Sequence, residues 1–220
     1  MSERSSKKPG FESFGLAMGD LQDPEYKAVD LNGLDHDGRY RFLTGSVVPR
    51  PIALVTTLGS NGILNAAPFS QFVIITYDPP MLGFVVHQGP NGLKDTLNNV
   101  RQRGEFVINT VSEAMAAQVQ RCAEPFPPFV SEVREAGFGT IPSLVIAPAR
   151  IAQSLVQFEC KLHSTVDFGD PVATLVVGDV VMAHIEHSVV DGRRINHAAL
   201  NPLGRIAGRS YCKTREVVHV

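Results

Sequence analysis

Residues 52–87 read IALVTTLGSNGILNAAPFSQFVIITYDPPMLGFVVH, and this stretch decides the fold. Its apolar and β-branched runs predict strands over residues 52–58, 72–76 and 81–87. The segments between them, Gly59-Ser60-Asn61-Gly62 and Asp78-Pro79-Pro80, have the composition of turns. The pattern therefore predicts an antiparallel meander in which each strand is joined to the next by a short turn.

The first turn and the strand that follows it carry the most information. Asn61-Gly62 favours a tight hairpin, so the chain is expected to return along residues 63–67. Pro68 cannot donate to a strand ladder, which places it at a bulge or a sheet edge, and the small residues beside it let a flat ligand approach the backbone. The unbroken apolar runs at residues 72–76 and 82–86 predict strands that are buried on both sides.

The rest of the chain predicts further strands and a few helices. Helices are expected at residues 96–103, ended by Gly104, at 114–122, and in a short piece near 131–136. Strands are expected at residues 105–111, 157–167 and 173–187, whereas residues 202–211 fit either a final strand or an extended loop. Because turns join most of these strands, we expect a small antiparallel barrel rather than a parallel α/β sheet.

Composition limits the classes of function. The 220 residues are 44% hydrophobic and 19% charged, with a formal net charge of −2, which allows one sizeable core. No basic run alternates with aromatic residues, so no nucleic-acid partner is expected. The three cysteines, Cys122, Cys160 and Cys212, are odd in number and widely spaced. They therefore predict reduced thiols rather than disulfides or a zinc site.

Two regions are expected along the chain. Residues 1–38 are rich in Gly, Asp, Ser and Lys with little periodicity, and we interpret them as a loosely ordered arm. Residues 39–220 are expected to form one domain. No stretch resembles the apolar core of a signal peptide or the run of about 20 apolar residues that spans a membrane. We therefore expect a cytoplasmic protein with no membrane partner.

Motifs for side-chain catalysis and for resident dinucleotides are missing from the sequence. Neither G-x-S-x-G nor a strand-to-helix G-x-G-x-x-G occurs, so a nicotinamide nucleotide would be a transient substrate. His184 and His187 should diverge along a strand, and no metal is expected there. For His87, at the end of a predicted core strand, ligand contact and a packing or solvated role both stay open.

A candidate anion site follows the third strand of the meander. Residues 88–92 form a glycine-containing loop, and Lys94-Asp95-Thr96 follows at the start of a predicted helix. A lysine, a hydroxyl and the free N–H groups of a helix start can together bind a phosphate. The alternative is that Asp95 or Thr96 caps the helix while Lys94 is solvated.

In this order and spacing, several short segments resemble the flavin reductase-like proteins of the FMN-binding split-barrel class. The similarity runs from about residue 40 to 215 and rests on Leu43 to Ala53, Asn65, Ala67-Pro68-Phe69-Ser70, Phe72, Asp78-Pro79-Pro80, Lys94-Asp95-Thr96, Asn99, residues 105–109, Pro202-Leu203-Gly204-Arg205 and Tyr211. Members of that family often have Asn after the position of Phe72, where this chain has Val73. That departure bears on substrate identity more than on flavin binding.

The resemblance implies a mainly β fold, an antiparallel split β-barrel with Greek-key-like connections and a few flanking helices. It also implies a homodimer that binds FMN near the subunit boundary and is reduced by NADH or NADPH. Cofactor-binding residues carried over by position, or placed beside them, are Arg50, Asn65, Ala66, Ala67, Pro68, Phe69, Ser70, His87, Lys94, Asp95, Thr96 and Asn99. Hydride transfer needs no side-chain acid or base, so no catalytic residue is expected.

The implied activity is FMN-dependent hydride transfer from NAD(P)H to flavin, with supply of reduced flavin to a partner monooxygenase as one use of the product. The runner-up is a flavoprotein without turnover, either an electron carrier or a flavin-binding module. A barrel without flavin, used for assembly, is a more distant third.

Overall fold

The computed structural model describes residues 26–89, 92, 94–170, 172–214 and 216–218. The chain divides into two compact units, residues 1–48 and 49–220. In the first unit, a 3₁₀ helix at Leu31–Gly33 precedes helix α1, His36–Ser46, whose N-terminus is capped by Asp35. The predicted arm at residues 1–38 stays a prediction, since residues 1–25 lie outside the described part. Pro90 and Asn91 of the predicted 88–92 loop lie outside it too.

The second unit consists mainly of strands with short helices between them. Its helices are α2 (Asp95–Arg103), α3 (Ala116–Cys122), α4 (Glu132–Glu135) and α5 (His197–Leu200), with 3₁₀ turns at Glu113–Met115 and His187–Val189. Its strands are β1 (Ala53–Leu58), β2 (Leu64–Phe69), β3 (Phe72–Tyr77), β4 (Pro80–His87), β5 (Glu105–Thr110), β6 (Thr140–Ile141), β7 (Arg150–Ile151), β8 (Val156–Phe168), β9 (Ala173–Ile185), β10 (Val190–Asp191), β11 (Arg194–Ile195), β12 (Leu203–Arg205) and β13 (Tyr211–Lys213).

Seven of these strands form one antiparallel sheet in the order β2-β1-β5-β8-β9-β4-β3. The two predicted hairpins are present, since β1 pairs with β2, with Ala53 opposite Phe69, and β3 pairs with β4. The prediction of one continuous meander is wrong, because β2 and β3 lie at opposite edges of the sheet. The two long strands β8 and β9 form a ribbon through the middle of the sheet. Pro68 lies within β2, an edge strand, which is one of the two positions its missing N–H allows.

Two apolar clusters, one on each face of β1, hold this unit together. Ala53 and Val55 point into the barrel core with Phe84, Phe106 and the apolar side of α2. Leu54, on the opposite face, packs in a second cluster built from α3, α4, β7 and β12. Both faces of β1 are therefore buried, which explains why its sequence is apolar without alternation.

The expectation that residues 72–76 are buried on both sides is wrong. Strand β3 is an edge strand, and Val73, Ile74 and Tyr77 are exposed, Ile74 by 55% and Tyr77 by 84%. The apolar run fits a strand that needs a covering surface, but no described part of this chain supplies one. Strand β4 follows the expectation more closely, since Leu82, Phe84 and Val86 are buried.

The helices agree with the sequence in type and differ at their ends. Helix α2 ends at Gly104, whose φ of 69° fits the left-handed conformation that glycine adopts easily. The predicted helix at 114–122 begins as a 3₁₀ turn before it becomes α3. Residues 202–211, which fit either a final strand or an extended loop, contain β12 and lead into β13. Strands β12 and β13 form a hairpin. Among the described residues, no helix is both long and apolar enough to cross a bilayer.

Candidate functional site

Strand β2 and the start of α2 lie side by side, and they bring together residues that are about 30 positions apart in sequence. The Asn65 carboxamide is 3.0 Å from the Thr96 hydroxyl oxygen. The Lys94 ammonium lies over the Phe69 ring, 5.8 Å from its centroid. The predicted strand-end residues and the predicted anion site are therefore parts of one surface.

Alternation along β2 decides which of its side chains reach that surface. Ala67 and Phe69 pack against the barrel core, whereas Ala66 is buried in the second cluster. The Ala66 N–H donates to Glu132 at 3.2 Å, so neither the side chain nor the amide of Ala66 faces the Phe69 side of the strand. Pro68 is half-buried and pairs with Leu54 of β1.

Arg50 and Ser70 form a corner at the far end of β2. Arg50 is buried, its Nε lies 3.5 Å from the Ser70 hydroxyl, and its Nη2 donates to the Ile206 carbonyl at 2.5 Å. Its backbone forms an antiparallel bridge with Arg205 through bonds of 3.0 and 2.8 Å. The Ile206 carbonyl and the backbone bridge to Arg205 therefore hold the Arg50 guanidinium in one orientation.

His87 lies beside the same end of the strand. It closes β4, is exposed, and forms a short hydrogen bond with the side chain of Gln71, the residue after Ser70. The Gln71 carbonyl in turn accepts from Val85 at 2.9 Å. His87 therefore borders the site through Gln71, which the sequence did not single out.

The start of α2 has no side-chain cap. Lys94 occupies the N-cap position and makes no capping bond, and the Thr96 hydroxyl is engaged with Asn65. Among the described residues, no carboxylate forms an ion pair with Lys94. Although Lys94 is exposed overall, neighbouring protein partly desolvates its ammonium group and lowers its pKa. This is an uncompensated cation at the positive end of a helix.

Asp95 and Asn99 lie on another side of α2. Both line a polar cleft of about 200 Å³ between the β1–β2 turn, α2 and residues 128–130. Asn99 also donates to Thr57 of β1 at 3.0 Å. Arg101, near the other end of α2, pairs with Asp167 of β8 at 3.1 Å.

Glu132, at the start of α4, is a site residue that the sequence did not reveal. Its carboxylate is buried behind Asn65 and Ala66 and accepts the Ala66 N–H. Burial raises the pKa of Glu132, and the nearby charge of Asp95 adds to that rise, while hydrogen bonds from its own N–H and from Ala66 oppose it. A glutamate in a short helix gives no sequence signal for burial, because its partners come from β2 and α2.

A second buried carboxylate, Glu159 on β8, serves a different region. It accepts the N–H groups of Leu144 and Val145 at 2.8 Å each and bonds His184 Nε2 at 2.6 Å. Burial alone would raise its pKa, but these three donors outweigh it and lower the pKa of Glu159. The Glu159 carboxylate therefore holds the segment at residues 142–149 against strand β8.

Comparison with known proteins places this geometry in a family. A family model described as the flavin reductase like domain matches residues 44–203. The solved structure of nitrilotriacetate monooxygenase component B from Bacillus cereus has a TM-score of 0.86 at 32% identity, covering 89% of this chain and 98% of that one. The 2-nitrobenzoate 2-nitroreductase of Pseudomonas fluorescens has a TM-score of 0.80 at 36% identity, covering 88% and 95%.

A curated relative from Halalkalibacterium halodurans, itself uncharacterised, is 37% identical over 193 residues, which are 86% of this chain and 92% of that protein. The fold agrees with the split barrel expected from the sequence. The family match spans most of the chain, and so do these similar proteins. The chain therefore belongs to the flavin reductase-like domain family.

Proposed function

We propose that this protein is an FMN-dependent oxidoreductase that transfers hydride from NADH or NADPH to flavin. The observation that carries the proposal is the position of Lys94, a cation without a carboxylate partner among the described residues, at an uncapped helix start beside Phe69. FMN has a dianionic tail and a flat ring, so its site must join a cationic end to an apolar one.

The residues present fit such a group. Lys94 and the first N–H groups of α2 suit the phosphate, and the backbone from Ala67 to Ser70, next to the buried Phe69, suits a flat ring. Near Leu64 and Ala66, the outer edge of β2 is taken up by Ser131 and Glu132. A ligand would therefore meet this strand beyond Ala66, from Ala67 to Ser70, where Arg50 adds a second cation.

When bound, FMN would supply the hydride chemistry itself. The protein would hold the phosphate tail of FMN at Lys94 and orient the flavin ring along β2. The packing around Phe69 would exclude water. Hydride transfer needs no side-chain acid or base, so the proposal assigns no catalytic residue. Among the predicted residues, Ala66 takes a supporting role, while Asp95 and Asn99 face the polar cleft rather than Phe69.

Delivery of reduced flavin to a partner monooxygenase is part of this proposal. Support comes from the similarity to nitrilotriacetate monooxygenase component B. The similarity to a nitroreductase supports a redox function in general. It does not bear on the delivery of reduced flavin to a monooxygenase. We also propose a cytoplasmic location, as expected from the sequence.

We further propose that the protein is a homodimer. Strand β3 is an edge strand with an exposed apolar face, and it borders an apolar groove of about 580 Å³ lined by residues of β3, β4, β8 and β9, among them Ile74, Tyr77, Met81 and Val181. No Asp, Glu, Lys or Arg lines this groove. A second copy supplies a matching apolar surface and would cover the unpaired edge of β3.

The test is steady-state oxidation of NADH and NADPH with added FMN, together with the flavin content of the purified protein. We expect oxidation that depends on flavin and a preference for one nucleotide. Retention of FMN without oxidation of either nucleotide would favour the alternative of an electron carrier or a flavin-binding module without turnover, and the absence of both properties would overturn the proposal.

A further inference from the structure

Three buried polar side chains, Glu132, Asn65 and Thr96, form a chain that runs from α4 through β2 to the start of α2. Thr96 is 1% exposed, Asn65 7% and Glu132 8%. Asn65 lies 3.0 Å from the Thr96 hydroxyl on one side and 3.2 Å from Glu132 Oε1 on the other. Each link is within hydrogen-bond distance, so the proton positions in this chain depend on each other.

The Asn65 carboxamide has two orientations related by a half-turn, and the proton at Glu132 decides how well the neighbours satisfy each of them. In one, its Nδ2 donates to Glu132 Oε1, and its Oδ1 accepts from the Thr96 hydroxyl and from the Ala66 N–H. In the other, Nδ2 donates to Thr96 Oγ1 and lies 3.2 Å from the Ala66 nitrogen, which is also a donor, while Oδ1 faces Glu132. An ionised carboxylate has no proton to donate, so only the first orientation suits it, while a protonated Glu132 can donate to Oδ1 and suits the second.

The two arrangements leave the Thr96 hydroxyl in opposite states. With Glu132 ionised, the hydroxyl proton is held by Asn65 Oδ1. With Glu132 protonated, Thr96 Oγ1 accepts from Asn65 and its own proton is available to another acceptor at the start of α2. One proton gained at Glu132 thus frees the Thr96 hydroxyl to donate to another group at the start of α2, while the Ala66 N–H keeps Glu132 Oε2 as its acceptor.

We infer that Glu132 is a positioning residue of the candidate site: its protonation state sets the direction of both hydrogen bonds in the Glu132–Asn65–Thr96 chain, and so couples proton uptake to anion binding at the start of α2. The consequence for a phosphate-bearing ligand rests on the proposed function, whereas the coupling within the chain does not. Binding of an anion favours the protonated state for two reasons, the released Thr96 donor and the removal of a nearby negative charge.

Few other titratable groups face Glu132. From α2 comes Asp95, whose charge favours protonation of Glu132. From α3 comes Cys122, whose Sγ lies 3.7 Å from the Glu132 carbonyl, and burial raises the pKa of that thiol to about 12. On α4 itself Arg134 and Glu135 are exposed, and Arg121 of α3 pairs with Glu135 at 3.1 Å. Strand β2 contributes no titratable side chain.

The first experiment follows the Asn65 side-chain amide by ¹H–¹⁵N NMR during a pH titration of the intact protein, with the signals identified by their loss in Asn65→Asp. Both amide signals should shift together in one titration step, at a pH above the ordinary range of a glutamate, because burial raises the pKa of Glu132. The step should vanish in Glu132→Gln and persist in Glu135→Gln, a matched change on the same helix. Unmoved signals in the unmutated protein, or a step retained in Glu132→Gln, would overturn the coupling.

The second experiment compares FMN and riboflavin affinity across the same pH range. FMN affinity should fall as pH rises through the Glu132 titration, by up to about tenfold for each unit by which the anion raises that pKa, while riboflavin affinity stays flat. In Glu132→Gln this contribution should be lost. The phosphate of FMN titrates equally in both proteins, so their difference isolates Glu132. An unchanged pH profile in Glu132→Gln overturns the coupling to anion binding, whereas failure of unmutated protein to prefer FMN over riboflavin overturns the phosphate site and leaves the NMR result standing.

Discussion

Replacement of Lys94 by methionine tests the phosphate site most directly. Methionine keeps an apolar stem of similar length over Phe69 and removes the charge, whereas alanine removes both. Lys94 forms no ion pair with a described carboxylate, and its ammonium is partly desolvated before any ligand arrives. Much of the desolvation cost is therefore already present in the free protein, and the charge is available to a ligand anion.

The size of the effect follows from these contacts. A unit charge about 4 Å from another gains about 4 kcal/mol at the effective dielectric of a protein surface. Mutational losses are smaller, about 1–3 kcal/mol for a hydrogen bond to a charged group, because water and the first N–H groups of α2 still solvate the phosphate. The expected loss in FMN affinity is therefore about 5- to 150-fold.

The assay is titration of FMN and of riboflavin, in one buffer, against the unmutated protein, Lys94→Met, Lys94→Ala and Lys161→Ala. Lys161 is an exposed lysine on β8, so its removal controls for net charge. Only FMN should weaken in Lys94→Met, and neither flavin should respond to Lys161→Ala. Equal losses for FMN and riboflavin in Lys94→Met would refute the reasoning, since they would mean that Lys94 supports the fold instead of the phosphate.

Three further outcomes are expected. Because partial burial lowers the pKa of Lys94 below its ordinary 10.5, FMN affinity should fall on alkaline titration at a lower pH than an unperturbed lysine would give, and Lys94→Arg should move this loss beyond the accessible range. Glu159→Gln should lower the free energy of unfolding by about 3 kcal/mol at neutral pH, measured in urea, because three donors lose an anionic acceptor. The lowered pKa of Glu159 means that this difference is present above the unfolded pKa and disappears as pH falls through the folded one; a difference that grows in acid would contradict the assignment. Ile74→Asp should convert the proposed dimer to a monomer in light scattering, while Val190→Asp, at another exposed apolar residue, should not; a dimer that survives Ile74→Asp would place the interface elsewhere.

The strands could be predicted because each carries its own local signal. Asn61-Gly62 fixes a hairpin register in which Ala53 lies opposite Phe69, and Gly104 marks the end of α2 by the conformation it adopts. Turn chemistry of this kind depends on a few adjacent residues. The order of the sheet and the pairing of β5 with β8 depend on distant segments, and the sequence alone predicted only that the fold is a barrel.

The errors arose where burial or pairing depends on the rest of the molecule. An apolar run such as β3 has the same sequence whether its own chain or another surface covers it, so its exposure could not be foreseen. Glu132 escaped notice for the same reason, since only the packing of α4 against β2 places a glutamate behind Asn65.

The distribution of charge around β2 implies a division of roles within the candidate site. The cations Lys94 and Arg50 lie against Phe69 and Ser70, two adjacent residues at the end of β2, and the side chains from Ala67 to Phe69 carry no charge. Coulomb attraction can therefore anchor the anionic part of a ligand at this end of the strand, while the uncharged part of the ligand meets backbone groups of β2. Backbone groups are fixed by the β1–β2 ladder and are not removed by single substitutions. It follows that variants of the charged residues should alter the affinity for flavin far more than the rate of hydride transfer at saturation, since they act on the part of the ligand that does not react.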